Sequence, residues 1–182
     1  RVIKADIREK DHLIFLLTFF LTKITYSMKV NFKHFFSREN DLYTTLCNCH
    51  TMNDIRNFLL NYFDEIILEL QNKVKSRNSF LVKQAIEYIN ANVYSDISLV
   101  KVADHLSIHP NYLSKIFKQE VGESFIEYII RVKMREAKNL ICNSNDKIYE
   151  IADKLHYKDV GHFTRLFKKT YGVSPTEYRQ LM

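Results

Sequence analysis

The stretch that decides the fold is IADKLHYKDVGHFTRLFKKTYGVSPTEY, residues 151–178, because much of its pattern occurs twice in the chain. The earlier copy is VADHLSIHPNYLSKIFKQEVGESFIEY, residues 102–128. The copies differ in length by one residue, which falls in a turn, where length changes are tolerated. A repeat of this kind predicts two copies of one structural unit.

Helix ends occur at matched places in the two copies. Gly122 and Gly172 each stand where a left-handed residue ends a helix. The stretches 124–127 and 174–177 have the Ser-x-x-Glu pattern of a capping box, which begins the next helix. The 182 residues contain only three glycines and two prolines. This scarcity of turn residues predicts an all-α fold of helices joined by short turns.

Within each copy, a helix, a tight turn and a second helix make up a helix-turn-helix unit, whose second helix enters the major groove of DNA. Small Ala103 and Ala152 let the paired helices approach each other closely. Any small helical bundle contains such hairpins. Two copies with the same caps, and with Lys115 and Arg165 at the matched outward position, favour DNA binding.

The helix between the two units, residues 124–141, is expected to act as a spacer. At 1.5 Å per residue it measures about 27 Å, close to the roughly 34 Å of one DNA turn. The predicted architecture is therefore two tandem helix-turn-helix units joined by a long helix, reading a bipartite site of about 20 base pairs. The other helices of this part are predicted over 80–92, 99–106, 110–120, 147–155, 160–170 and from Pro175, with Ser98, Asp146 and Asp159 as N-caps.

The N-terminal part is predicted to be a small helical domain. A strongly apolar helix is expected over 6–29, one or two shorter helices over 31–49, and an amphipathic helix over 51–75. The polar stretch 73–79 has the composition of a linker. The expected domains are a helical regulatory or dimerisation segment, 1–78, and a DNA-binding domain, 79–182.

Residues 83–182 resemble the DNA-binding domain of AraC/XylS-type transcription regulators. The resemblance is carried by IADKLHYKD at 151–159, by HFTRLFKKTYGVSP at 162–175, and by the Tyr-Arg pair at 178–179. In that family a glycine usually occupies the position of His156, so the turn of the second unit departs from the pattern. The resemblance implies a bacterial regulator, usually an activator, with two recognition helices in successive major-groove segments on one face of the duplex.

The outward positions of the two recognition helices supply the candidates for DNA contact. Arg and Lys bond guanine edges, Asn pairs with adenine, and Val160 suits a thymine methyl group. Lys115 and Arg165 are the best base-reading candidates, and a solvated surface charge is the alternative for each lysine. Val160 and Gly161 give the start of the second recognition helix no polar side chain for a base. The first recognition helix is therefore expected to discriminate more between DNA sequences. The base-reading candidates are Asn111, Ser114, Lys115, Val160, Gly161, His162 and Arg165, and the phosphate candidates are His109, Lys118, Lys158, Thr164 and Lys168.

The remaining chemistry-bearing residues predict neither a metal site nor an enzyme. The stretch Cys47-Asn48-Cys49-His50 lacks the second pair of ligands that zinc needs. No cofactor is expected, because no Ser/His/Asp grouping and no Gly-rich phosphate loop is visible. The three cysteines fit reduced thiols in the cytoplasm. The apolar run 12–22 is too short for a membrane span, which takes about 20 residues.

The expected partner is double-stranded promoter DNA. The net charge of +6 agrees with a polyanion partner, but it is divided evenly between 1–78 and 79–182, so the positions of the charges carry the argument. Further expected partners are RNA polymerase, a second copy bound through 1–78, and an effector sensed by a domain upstream of Arg1. The alternative is a helical protein-interaction adaptor that retains the fold without DNA binding. Salt-dependent binding to a duplex separates the two functions.

Overall fold

The computed structural model describes the backbone of residues 2–29 and 42–181, with side chains from residue 10 onward. All regular secondary structure in these ranges is helical, which confirms the all-α prediction. The chain divides into two compact units, Arg1–Lys75 and Ser76–Met182, called unit 1 and unit 2 below. None of the described helices is both long and apolar enough to cross a membrane.

Unit 1 is built from helices α1, Val2–Ser27, and α2, Leu42–Cys47, and from the first part of α3, Met52–Ala91. The hydroxyl group of Tyr62 donates a hydrogen bond of 3.2 Å to the carbonyl oxygen of Leu21 and so connects α3 to α1. The helix predicted over 6–29 is present as α1, and α2 lies in the segment where short helices were expected. The two helices predicted over 51–75 and 80–92 form one continuous helix, α3. Residues 31–41 of the segment around α2 lie outside the described residues. The core consists of Ile14, Leu21, Leu42, Leu46, Tyr62 and Ile66.

Helix α3 continues through residues 73–79, where the sequence predicts a linker. The linker prediction is wrong because the stretch KVKSRNS contains neither glycine nor proline, so nothing interrupts the backbone hydrogen bonds of the helix. The division between the units falls between Lys75 and Ser76, inside this helix. A domain boundary between Asn78 and Ser79 stays a prediction.

Unit 2 begins with the last part of α3, which contributes Leu81, Val82, Ala85 and Ile89 to its first core, and continues with two helical hairpins that share one long helix. The first hairpin is followed by the long helix, which leads into the second hairpin, and a short helix ends the described chain. This is the predicted arrangement of two tandem helix-turn-helix units. The helices are α4, Leu99–His105; α5, Pro110–Val121; α6, Phe125–Asn143; α7, Ile148–Lys154; α8, Val160–Tyr171; and α9, Pro175–Gln180.

Each hairpin of unit 2 has its own apolar core. Ala103 and Phe117 in the first hairpin, and Ala152 and Phe167 in the second, are fully buried. Helix α6 belongs to both cores, because different turns of it face the two hairpins. It contributes Phe125, Tyr128 and Val132 to the first core, and Met134, Ala137 and Ile141 to the second.

The helix ends follow the predicted caps with one exception. The hydroxyl oxygen of Ser98 accepts a hydrogen bond of 3.2 Å from the backbone N–H of Lys101. Gly122 and Gly172 end α5 and α8 with φ of 83° and 84°, in the left-handed region. Both predicted capping boxes, at the starts of α6 and α9, are present.

The exception is Asp146, which was expected to cap α7. The N-cap is Lys147, whose backbone N–H donates a hydrogen bond of 2.7 Å to the carboxylate of Glu150. Asp146 lies one residue too early for the role. Its carboxylate instead accepts hydrogen bonds from the ammonium of Lys154 at 2.7 Å and the hydroxyl of Ser144 at 2.9 Å.

The turns inside the two hairpins have the same backbone conformation. Ser107 in the first turn has φ of 54°, and His156 in the second has φ of 56°. For a residue with a side chain, this region costs about 1–2 kcal/mol. The second hairpin thus keeps the turn of the first, although histidine stands where the family usually has glycine.

We expect the substitution His156→Gly to stabilise unit 2 by about 0.5–1 kcal/mol, since it removes the left-handed strain at the cost of a more flexible unfolded chain. Urea unfolding followed by circular dichroism measures the change. The opposite substitution, Gly172→Ala, meets no atom within 4 Å of the new Cβ, so its expected destabilisation reports backbone strain alone. A variant His156→Gly that is less stable than the parent chain would contradict this account.

Candidate nucleic-acid interface

Helix α5 presents a polar face opposite a buried one. Leu113, Ile116 and Phe117 are buried in the first core. On the other side, the predicted base-reading residues are exposed and line one shallow surface depression together with one predicted phosphate contact. The residues lining the depression are Asn111, Ser114, Lys115, Lys118 and Gln119.

Gln119 is the one residue of this depression that the sequence analysis missed. Its spacing from Lys115 is one helical turn, which places both side chains on one face of α5. Continuing the series of outward positions on α5 by one more helical turn would have identified Gln119 from the sequence. A glutamine amide offers both a donor and an acceptor to a base edge.

The start of α5 is held by His109 and Pro110. The imidazole Nδ1 of His109 accepts a hydrogen bond of 3.2 Å from the backbone N–H of Asn111, so His109 is the N-cap. Pro110 occupies the first helical position, as predicted. His109 is exposed, and the cap orients its ring at the tip of the helix.

Helix α8 repeats this arrangement in the second hairpin. Phe163 and Phe167 are buried, and Leu166 is half-buried against the same core. Asp159 caps the helix, because its carboxylate accepts a hydrogen bond of 2.8 Å from the backbone N–H of Gly161. The predicted contact residues Lys158, Val160, Gly161, His162, Arg165 and Lys168 are all exposed, whereas Thr164 is half-buried.

Arg165 is exposed and lies near the cap of its own helix. Its guanidinium Nη2 is 3.9 Å from the carboxylate of Asp159, and both side chains are largely in solvent. A pair at this distance and exposure is a weak interaction. Arg165 therefore remains available to another partner, with Asp159 as a local competitor.

The lysines near the ends of the two recognition helices occupy equivalent environments. Hydrogen bonds from Ser124 and, to a smaller extent, the charge of Lys118 lower the pKa of Glu127. Hydrogen bonds from Ser174 and the charge of Lys168 lower the pKa of Glu177 in the same way. Each lysine therefore lies beside the capping box that begins the following helix.

The Cys-Asn-Cys-His stretch has local structural roles. The thiol of Cys49 is buried and lies 3.6 Å from the carbonyl oxygen of Thr45, to which it donates. The backbone N–H of His50 donates to the carboxylate of Asp54 at 3.0 Å. Within the described part of the chain, no group of three or more His, Cys, Asp or Glu residues is placed to hold a metal ion.

Comparison with known proteins gives one family match and a set of similar regulators. A family model described as a helix-turn-helix domain matches residues 102–181. The chain is 36% identical over 143 residues to the HTH-type transcriptional regulator YtdP of Bacillus subtilis, a match that covers 76% of this chain and 18% of YtdP. The chain spans less than half the length of the curated relatives that it matches.

Two solved structures are similar to about half of this chain. The C-terminal domain of AraT, a response regulator from Geobacillus stearothermophilus, is 37% identical with a TM-score of 0.54, over 56% of this chain and 85% of that chain. A probable AraC family transcriptional regulator from Rhodopseudomonas palustris is 27% identical with a TM-score of 0.51, over 55% of this chain and 94% of that chain.

We expect Asp159→Ala to destabilise unit 2 by about 1 kcal/mol, because it removes the N-cap of α8. Asp159→Asn should leave the stability nearly unchanged, since an asparagine oxygen caps a helix about as well as aspartate does. Urea unfolding of the two variants measures the difference. Equal stability of the alanine and asparagine variants would show that the cap contributes nothing.

Proposed function

Because this chain belongs, through unit 2, to the AraC/XylS-type family of helix-turn-helix transcription regulators, we propose that it binds promoter DNA sequence-specifically and regulates transcription. The observation that carries the proposal is the matched pair of capped helices, α5 and α8. Each buries its apolar face in its own hairpin core and presents an exposed cation, Lys115 or Arg165, at the equivalent position. A second helix exposed in this way is the part of a helix-turn-helix that enters the major groove.

Base reading is assigned to the outward side chains of the two helices. Arg165 is suited to a bidentate contact with the O6 and N7 atoms of guanine, and Lys115 to a contact with the same edge. Asn111 offers the donor and acceptor pair that adenine requires. On α8, Val160 offers an apolar contact to a thymine methyl group and Gly161 offers only backbone. Helix α5 therefore has more side chains suited to base contacts, and base recognition by α8 depends mainly on Arg165.

Phosphate contacts are assigned to residues at the tips and ends of the helices. His109 and Lys158 lie at the starts of α5 and α8, and Lys118 and Lys168 lie in their last turns. Thr164 is half-buried, and its hydroxyl group is a donor suited to a phosphate oxygen. Such contacts position the protein on the duplex without specifying sequence. They also predict that affinity falls as the salt concentration rises.

The shared helix α6 supports reading of two successive groove segments. It has 19 residues, which corresponds to about 28 Å at 1.5 Å per residue. One turn of DNA is about 34 Å, so a single copy is suited to a bipartite site of about 20 base pairs on one face of the duplex.

We infer activation as the mode of regulation, with RNA polymerase as a second partner and the cytoplasm as the location.

Unit 1 supports a proposal of homodimerisation. Among the exposed large apolar residues of α3, four follow one another at spacings of three, four and seven residues. They are Leu60, Phe63, Ile67 and Val74. Leu70, half-buried in the core of unit 1, completes the pattern. Apolar residues at alternating spacings of three and four form the seam between two packed helices. We infer that this seam, called the α3 seam, meets its equivalent in a second copy, while an effector is sensed outside the unit.

We expect Lys115→Ala and Arg165→Ala each to weaken binding to a cognate duplex by about 1–3 kcal/mol. Lys154→Ala is the matched control, because it removes the same charge from an ammonium that is ion-paired with Asp146 at 2.7 Å. Fluorescence anisotropy titration at several salt concentrations measures the three variants. Unchanged affinity in both test variants would remove Lys115 and Arg165 from the interface. A duplex affinity that is absent, or independent of salt, would favour the adaptor function instead.

We expect Ile67→Glu to convert a dimer of the chain into a monomer, since it places a charge in the middle of the α3 seam. The control is Leu68→Glu, because Leu68 is as exposed as Ile67, 53% against 51%, but points about 100° away from the seam. Light scattering coupled to size exclusion gives the mass of each variant over a concentration series. A parent chain that stays monomeric at high concentration, or equal effects of the two substitutions, would refute the seam.

A further inference from the structure

The two hairpins of unit 2 are connected through one buried ammonium group. Lys133 lies on α6, between Val132 of the first core and Met134 of the second, and is only 6% exposed. Its Nζ donates a hydrogen bond of 3.2 Å to the carbonyl oxygen of Ser95 and one of 2.8 Å to that of Leu155. In the described part of the chain it is the one buried side chain that carries a formal charge.

One acceptor lies in the loop before the first hairpin, and the other lies in the second hairpin. Ser95 lies in the loop that leads from α3 to α4, where its own N–H donates to the carbonyl oxygen of Asn92 at 2.8 Å. Leu155 is the C-cap of α7, immediately before the turn of the second hairpin. The ammonium therefore bonds the entry of the first hairpin and the turn of the second at the same time.

From Leu155 the connection continues to the second recognition helix. The ring of Tyr157, two residues later, lies 5.6 Å from the ammonium of Lys133. The same ring packs against Phe163 of α8, with 5.5 Å between ring centroids, and lies 6.1 Å from the ring of His162. A displacement of α8 relative to α6 would disturb this set of contacts.

Burial makes the position of this lysine costly. Burial lowers the pKa of Lys133, and the nearby charge of Asp96 opposes that shift only in part. An apolar residue of similar size would avoid the desolvation of a charge, and such replacements are often neutral or stabilising. A lysine adds a constraint on orientation. Apolar packing is non-directional, whereas hydrogen bonds to two fixed carbonyl groups are directional.

We propose that Lys133 is a positioning residue that fixes the orientation of α8 relative to α5 and thereby selects the spacing between the two half-sites on DNA. The proposal rests on the bipartite reading described under the proposed function. Val93, which packs against both cores, keeps the hairpins together without fixing their angle. Without the two hydrogen bonds, the hairpins stay folded and attached to α6, but the second recognition helix tolerates a shifted half-site.

The test is a spacing series with the full chain. Duplexes carry the selected bipartite site with zero, one or two base pairs inserted or removed between the half-sites, and each base pair rotates the second half-site by about 34–36°. Anisotropy titrations compare the parent chain with Lys133→Met, and circular dichroism confirms folding. The control is Lys138→Met, because Lys138 lies on the same helix but its ammonium faces Tyr171 of α8 and Tyr178 of α9, 5.7 and 5.8 Å from their ring centroids.

The parent chain and Lys138→Met are expected to lose about tenfold or more in affinity when the spacing changes by one base pair, because one recognition helix loses its base contacts. Lys133→Met is expected to lose about threefold or less, while its affinity for the optimal duplex changes little. A wild-type spacing profile in Lys133→Met overturns the proposal. If that variant does not fold, Lys133→Gln takes its place, and if neither folds, Lys133 acts on stability rather than on positioning and the proposal is wrong. A parent chain without any spacing preference refutes bipartite reading itself, before any variant is considered.

Discussion

The sharing of α6 between two hydrophobic cores is the constraint on which the rest of unit 2 depends. Its first half packs into the hairpin of α4 and α5, and its second half packs into the hairpin of α7 and α8. The first core also receives Leu81, Val82, Ala85 and Ile89 from the last part of α3. Helix α6 is nevertheless the element common to both cores, so it sets how far apart the two hairpins stand. The buried ammonium of Lys133, at the junction of the two cores, adds direction to that attachment.

The two hairpins of unit 2 agree in the residues that form their cores and helix ends, and they differ in the residues that they expose to solvent. The left-handed glycines, the capping boxes and the buried Ala and Phe residues are matched. On the outward face, Asn111 and Ser114 of α5 correspond to Gly161 and Thr164 of α8. The cations are kept, with Lys115 matched by Arg165 and Lys118 by Lys168. The mechanical positions are constrained by packing and by backbone geometry, whereas the exposed positions are free to follow two different half-sites. Matched cores with different outward residues are suited to the proposed recognition of an asymmetric site, in which each recognition helix contacts a different half-site.

Much of the architecture is predictable from the sequence because its signals are local. Helix caps, left-handed glycines and the first-turn prolines act over four residues or fewer, and the repeat showed which of them belong together. The failures have equally local causes. The composition of residues 73–79 is polar but contains no helix breaker, and Asp146 is a good capping residue placed one position too early. Polarity and residue type alone do not give the position of a helix end.

What the sequence does not contain is any signal for contacts between distant elements. The exposure of the outward residues follows from helical periodicity, but the hydrogen bonds of Lys133 join residues 38 and 22 positions away. A lysine on a helix is expected to be in solvent, and only the packing of the two hairpins around α6 shows that this one is buried. The left-handed conformation of His156 differs in this respect, because the glycine that the family usually has at this position already points to it.

In the proposed complex, α5 and α8 read two half-sites held one DNA turn apart. Selection of binding sequences from a random duplex pool with the purified chain tests it most directly. The account predicts an enriched motif with two informative segments about 10 base pairs apart, centre to centre, and with more information in the segment that α5 reads. Enrichment of a single short segment, or no enrichment above the starting pool, would contradict it.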